Sequence, residues 1–187
     1  MEAFNYLAVL LSIIIGLGIT QVLTAAGRLI RHRELVTFYW PPLLWAGCLI
    51  VMDVQVWWAM FGLRGVAHWT FVSFLVVLFQ TVTLYMMSAL VLPELVEHGG
   101  VDLRTHYERQ HRWFFGFFLA TLAISVLKDV VIGGTLPETR NLGFHILLGI
   151  TCVTAMTIRH SRYHEAIAVA GPLGMAGYIA LLFARLH

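Results

Sequence analysis

Six stretches of this chain, residues 4–25, 42–62, 69–92, 113–133, 141–158 and 165–184, are each predominantly apolar and about 20 residues long. A helix rises about 1.5 Å per residue, so such a run crosses the roughly 30 Å hydrocarbon core of a bilayer. Lipid offers the backbone no hydrogen-bond partners, and a run of this kind must satisfy its own amides as a helix. The sequence therefore predicts an all-α integral membrane protein, a six-transmembrane helix bundle. Composition agrees: 59% of the 187 residues are hydrophobic and 12% charged, against about 45–50% and about 25% in soluble domains. The connections left between the runs are too short for a separate folded unit, which makes residues 1–187 a single transmembrane domain. Residues 4–25 carry their charges after the apolar run, so this segment is expected to stay as the first helix and not to act as a cleaved signal.

Arginine placement sets the expected orientation. Arg28, Arg31 and Arg33, then Arg104, Arg109 and Arg112, then Arg159 and Arg162 fall on the first, third and fifth connections, while the other side holds Arg64, Arg140 and Arg185. By the positive-inside rule the richer side is cytoplasmic and both termini are non-cytoplasmic, in a multi-pass protein of the cell inner (plasma) membrane. The net charge of +2 is spread over these connections, so no nucleic-acid partner is expected. In the cytoplasmic connection, residues 96–112, Gly99-Gly100 break the helix that Pro93 has weakened. Asp102 is an N-cap, and Glu108 and Arg112 are spaced to pair. Helix four should begin near Leu103 and extend about 15 Å into the cytoplasm.

Helices in lipid associate through close backbone approach and polar contacts. Ser12, Gly16, Thr20 and Thr24 on helix one, and Ala166, Ala170 and Gly174 on helix six, recur at four-residue spacing. Each set predicts a tight seam, either within one subunit or against another. The expected partners are the lipid bilayer and a second copy of the chain or other membrane subunits.

Charges in hydrocarbon are costly and point to function. Asp53, Lys128 and Asp129 lie inside the runs, and Lys128 is the only lysine of the chain. Asp53 and Lys128 fall at similar depth and are expected to pair. Gln55, about 200° round the helix from Asp53, with Gln80, Gln21 and His145, would extend a polar interior. Cys48 and Cys152 lie in apolar runs and read as core residues. On the cytoplasmic connections, His106 with His111 and His160 with His164 have spacings that suit metal ligands, whereas His32 and His98 stand alone. The adjacent double histidine of membrane di-iron enzymes is lacking, so these read first as interface residues, with no metal ion and no cofactor other than lipid. No catalytic motif is legible and the chain is not expected to be an enzyme. The first expectation is a channel or transporter for an ion, proton or small solute, the second an accessory or scaffold subunit, and the third a membrane enzyme with a histidine-bound metal.

Overall fold

The computed structural model describes residues 3–66, 68–94 and 100–182. The chain is 86% helical, in six α-helices: α1 Ala3–Arg31, α2 Pro41–Ala59, α3 Phe71–Val91, α4 Leu103–Gly133, α5 Thr139–Thr157 and α6 Ser161–Leu182. A 3-10 segment, Met60–Gly65, prolongs α2. Each expected run corresponds to one helix. Four of them, Phe4–Arg31, Pro41–Gly65, Phe71–Val91 and Leu103–Gly133, are long and apolar enough to cross a membrane. The expectation of six such helices is met only in part. The first turns of α5 hold Arg140 and Asn141, and α6 opens with Arg162, His164 and Glu165, which dilute the apolar runs there.

Local chemistry explains the boundaries. Pro41 and Pro42 open α2, where a missing N–H costs nothing. Thr70 and Ser73 form a reciprocal capping box on α3, with the Ser73 N–H donating to Thr70 Oγ1 (3.1 Å) and the Thr70 N–H to Ser73 Oγ (3.0 Å). Asp102 caps α4 as expected, accepting from the Arg104 N–H at 2.9 Å. Hydrogen bonds from the Thr105 hydroxyl and that amide hold its carboxyl below the usual carboxylate range. Helix α4 then runs unbroken for 31 residues, about 46 Å, and ends at Gly134 in the left-handed conformation (φ 68°). The expected Glu108–Arg112 pair does not form. Glu108 turns back one helical turn to Arg104 (3.1 Å), which keeps the same i, i+4 geometry. His98, Gly99, Arg185 and the last residues of the run 165–184 lie outside the described residues.

Val36–Thr37, β1, pairs in parallel with Val101–Asp102, β2, tying the connection after α1 to the start of α4. A Cβ on Gly100 would lie 3.3 Å from the Leu35 carbonyl, so the two connections meet closely.

Helix α3 is the centre of the bundle, packing on α1, α2 and α4, while α5 packs on α4 and α6 on α2. The core includes Trp45, whose ring meets Phe114, Phe115 and Phe118 at centroid distances of 5.6, 5.4 and 6.1 Å. Cys48 and Cys152 are buried free thiols in this core.

The small-residue faces do not pack inside the chain. Ser12, Gly16, Thr20 and Thr24 are all exposed, as are Ala166, Ala170 and Gly174. Helix α1 instead buries Leu11, Ile15, Gly18 and Val22, and α6 buries Ile167, Ala168, Met175 and Tyr178. In a helix that is apolar all round, bulk and shape choose the buried stripe, and the hydrophobic pattern gives no phase. Among the described residues nothing lies within 4 Å of a Cβ built on Gly16. Gly16→Leu is therefore expected to change the stability of the detergent-solubilised monomer by less than about 0.5 kcal/mol, as surface substitutions do. A thermal melt that dropped as for a core substitution would place that face inside the fold.

Candidate functional site

The inward face of α4 organises the polar chemistry. Tyr107, His111, Phe114, Phe118, Thr121, Ser125 and Lys128 follow one another at alternating four- and three-residue steps, the repeat that keeps one helical stripe turned toward its neighbours. The stripe is polar at its start, aromatic in the middle and polar again at its end. A cavity adjoins each polar end.

The first cavity, about 300 Å³, lies among α2, α3, α4, α5 and α6. Its polar lining is Gln55, Gln80, Ser125, Lys128, Asp129, Asn141 and Tyr178. It adjoins a hollow of about 420 Å³ that shares Lys128 and Asp129 and reaches Thr135, Pro137 and Glu138 beyond the end of α4. Lys128 and Asp129 are half-buried where the two meet. Hydrogen bonds hold parts of the wall in place. The Thr121 and Thr83 hydroxyls meet at 2.8 Å between α4 and α3, and Thr83 Oγ1 donates to the Gln80 carbonyl at 2.9 Å. The Tyr178 hydroxyl donates to Asn141 Oδ1 at 3.1 Å. His145 supports this wall from behind, with Nδ1–H donating to the Asn141 carbonyl (2.9 Å) and its ring edge against Tyr178.

Five of the six residues expected to form the polar cluster thus lie in or against this cavity, and Asp53 does not. It is 1% exposed and faces the other way, toward α1 and α3. A Cβ built on Gly18 would lie 3.4 Å from both Asp53 Oδ2 and Ser88 Oγ. Ser88 is thus the side chain that stands beside the Asp53 carboxyl and offers it a hydrogen bond. The ion pairs among the described residues are Arg104–Glu108 and Arg140–Glu138, and neither Asp53 nor Lys128 takes part in one. The expected Asp53–Lys128 pair is replaced by two separate environments. Equal depth brought the two charges level, but helical phase turns Gln55, and not Asp53, toward α4. The substitutions Asp53→Asn and Lys128→Met are accordingly expected to be additive within about 0.5 kcal/mol in a double-mutant cycle read by unfolding in detergent. Coupling of several times that size would restore the pair.

At the other end of the α4 stripe, the structure brings together two of the four candidate metal ligands. The His111 and His164 rings are 4.9 Å apart. His164 Nε2–H donates to the Ile158 carbonyl at 2.8 Å, which leaves Nδ1 to accept from the Tyr107 hydroxyl at 3.0 Å. Burial holds the His164 imidazole below the ordinary histidine range. His111 Nδ1–H donates to the Glu108 carbonyl at 2.8 Å, and its Nε2 is buried with no partner among the described residues. His106 turns away to the Leu90 carbonyl (3.0 Å), and His160 is exposed on the α5–α6 turn. Among the described residues no group of three or more His, Cys, Asp or Glu side chains is placed to hold a metal ion.

Comparison with protein families, with curated proteins and with solved structures finds no match to this chain.

Proposed function

We propose that this is a multi-pass protein of the cell inner membrane in which all six helices cross the bilayer, both termini lie on the non-cytoplasmic side, and the cavity at Lys128 and Asp129 carries an ion or small polar solute. The arginine asymmetry supports that orientation, and α4 would extend its first ten residues into the cytoplasm before crossing. One observation carries the transport reading: a polar cavity penetrates a bundle whose helices are otherwise apolar, and the only lysine of the chain lines it beside a carboxylate. Such groups are expensive at membrane depth and are retained where they line a path for a polar species. The Gln55, Gln80 and Asn141 amides offer donors and acceptors to a neutral solute, while Lys128 and Asp129 offer charge of both signs.

The test is reconstitution into vesicles. A trapped pH-sensitive dye reads proton flux and light scattering reads glycerol permeation. At least one signal should exceed that of protein-free vesicles, and neither rising above that background would contradict the reading. A second reading, a scaffold subunit of a larger membrane assembly, draws support from the outward small-residue faces of α1 and α6, which suit close helix packing. A partner that co-purifies in fixed ratio would favour it.

A further inference from the structure

The cavity at the start of the α4 stripe lies at the opposite end of the bundle from Lys128 and plays no part in the transport reading. It measures about 450 Å³ and is walled by α4, by the α5–α6 turn and by Tyr39. Three arginines line it, Arg109, Arg112 and Arg159, and none of them is in an ion pair among the described residues. The acidic residue of the wall, Glu108, is already engaged by Arg104 at 3.1 Å. Arg104 also donates to Ser161 Oγ at 2.9 Å, which fixes the rim. Deeper in the wall His111 is 6% exposed, with Nδ1 committed to the Glu108 carbonyl and Nε2 without a partner among the described residues. A buried polar atom left unpaired costs free energy, and a ligand that satisfies it recovers that cost.

From this arrangement we propose that the cavity is a binding site for a phosphate group bearing a hydroxyl. The planar guanidinium groups match phosphoryl oxygens in charge and fork geometry. The volume exceeds what a bare phosphate needs and falls in the range of small-molecule sites, which leaves room for a short polar substituent. His111 Nε2, a lone-pair acceptor in the tautomer its backbone bond fixes, accepts a hydrogen bond from the hydroxyl, whether that hydroxyl is on phosphorus or on the substituent. Soluble phosphate compounds and hydroxylated anionic lipid headgroups share this chemistry.

Two measurements on the full-length protein separate the sources. Inorganic phosphate is titrated by calorimetry into protein in an uncharged detergent. Fluorescent phosphatidylglycerol capture is measured in phosphatidylcholine nanodiscs. Saturable binding is expected in at least one arm, the first assigning a soluble phosphate compound and the second a lipid headgroup. Arg159→Gln, at an exposed turn, and His111→Gln are each expected to weaken it about tenfold or more, whereas Arg64→Gln, outside the cavity, should bind as wild type. Thermal melts confirm that each variant is folded, and Arg159→Gln stands alone if His111→Gln is not. No saturable binding in either arm, an Arg159→Gln variant that binds as wild type, or equal weakening by Arg64→Gln would overturn the proposal.

Discussion

Reconstituted Lys128→Met protein is expected to lose at least about tenfold of whichever flux the wild type supports, while remaining folded. Methionine keeps the length and much of the volume of the lysine stem and removes the charge, so the cavity walls formed by Gln55, Gln80 and Asn141 stay in place. A loss of about 1.4 kcal/mol of interaction with a passing ion or polar solute already gives that factor. Lys128→Arg should keep part of the activity through its charge and lose the rest through its bulkier, planar head. Equal flux in wild type and Lys128→Met would remove the side chain from the path.

The largest stability effect is expected where α6 crosses α2. A Cβ added to Gly171 would lie 2.4 Å from Trp45 Cη2, closer than carbon atoms tolerate. The indole cannot retreat, since Phe114, Phe115 and Phe118 surround it. Gly171→Ala should therefore destabilise by about 1–3 kcal/mol as an overpacked core does, and Gly171→Leu by more. Trp45→Ala removes the clash but opens a void, at a cost of about 3–5 kcal/mol. Combining Gly171→Ala with the smaller ring of Trp45→Phe should recover part of the loss, and denaturant unfolding in detergent measures that coupling. If Gly171→Ala unfolds at the same midpoint as wild type, α6 does not lie against the indole.

The helices were legible because lipid-length apolar runs and caps such as Asp102 are local signals. What faces what was not. In α1 both the Ser12–Gly16–Thr20 stripe and the Leu11–Ile15–Gly18 stripe are compatible with packing, and only the shape of α2 and α3 decides for the second. The same missing phase misled the pairing of Asp53 with Lys128, because depth follows from counting residues whereas azimuth follows from neighbours. The seven-position stripe of α4 was readable in principle, since its spacing is regular, but its change from polar to aromatic to polar disguises the periodicity. His111 and His164 are 53 positions apart, so only the fold brings their rings together. Strands β1 and β2, two residues each, are too short to show any alternation at all.

The proposed transport requires a water-accessible cavity at Ser125 and Lys128 that opens to the side proposed to be non-cytoplasmic. Its most direct test is Ser125→Cys, with Cys48 and Cys152 replaced by alanine, treated in intact cells with a membrane-impermeant thiol reagent. Ile146→Cys, on the exposed apolar face of α5 that the proposed topology sets against lipid, serves as the control, because a thiol in hydrocarbon meets neither water nor reagent and stays unionised. The cysteine in the cavity should be modified from outside and the control should not. A cavity cysteine as inert as the control, or one modified only after the cells are opened, would contradict the account.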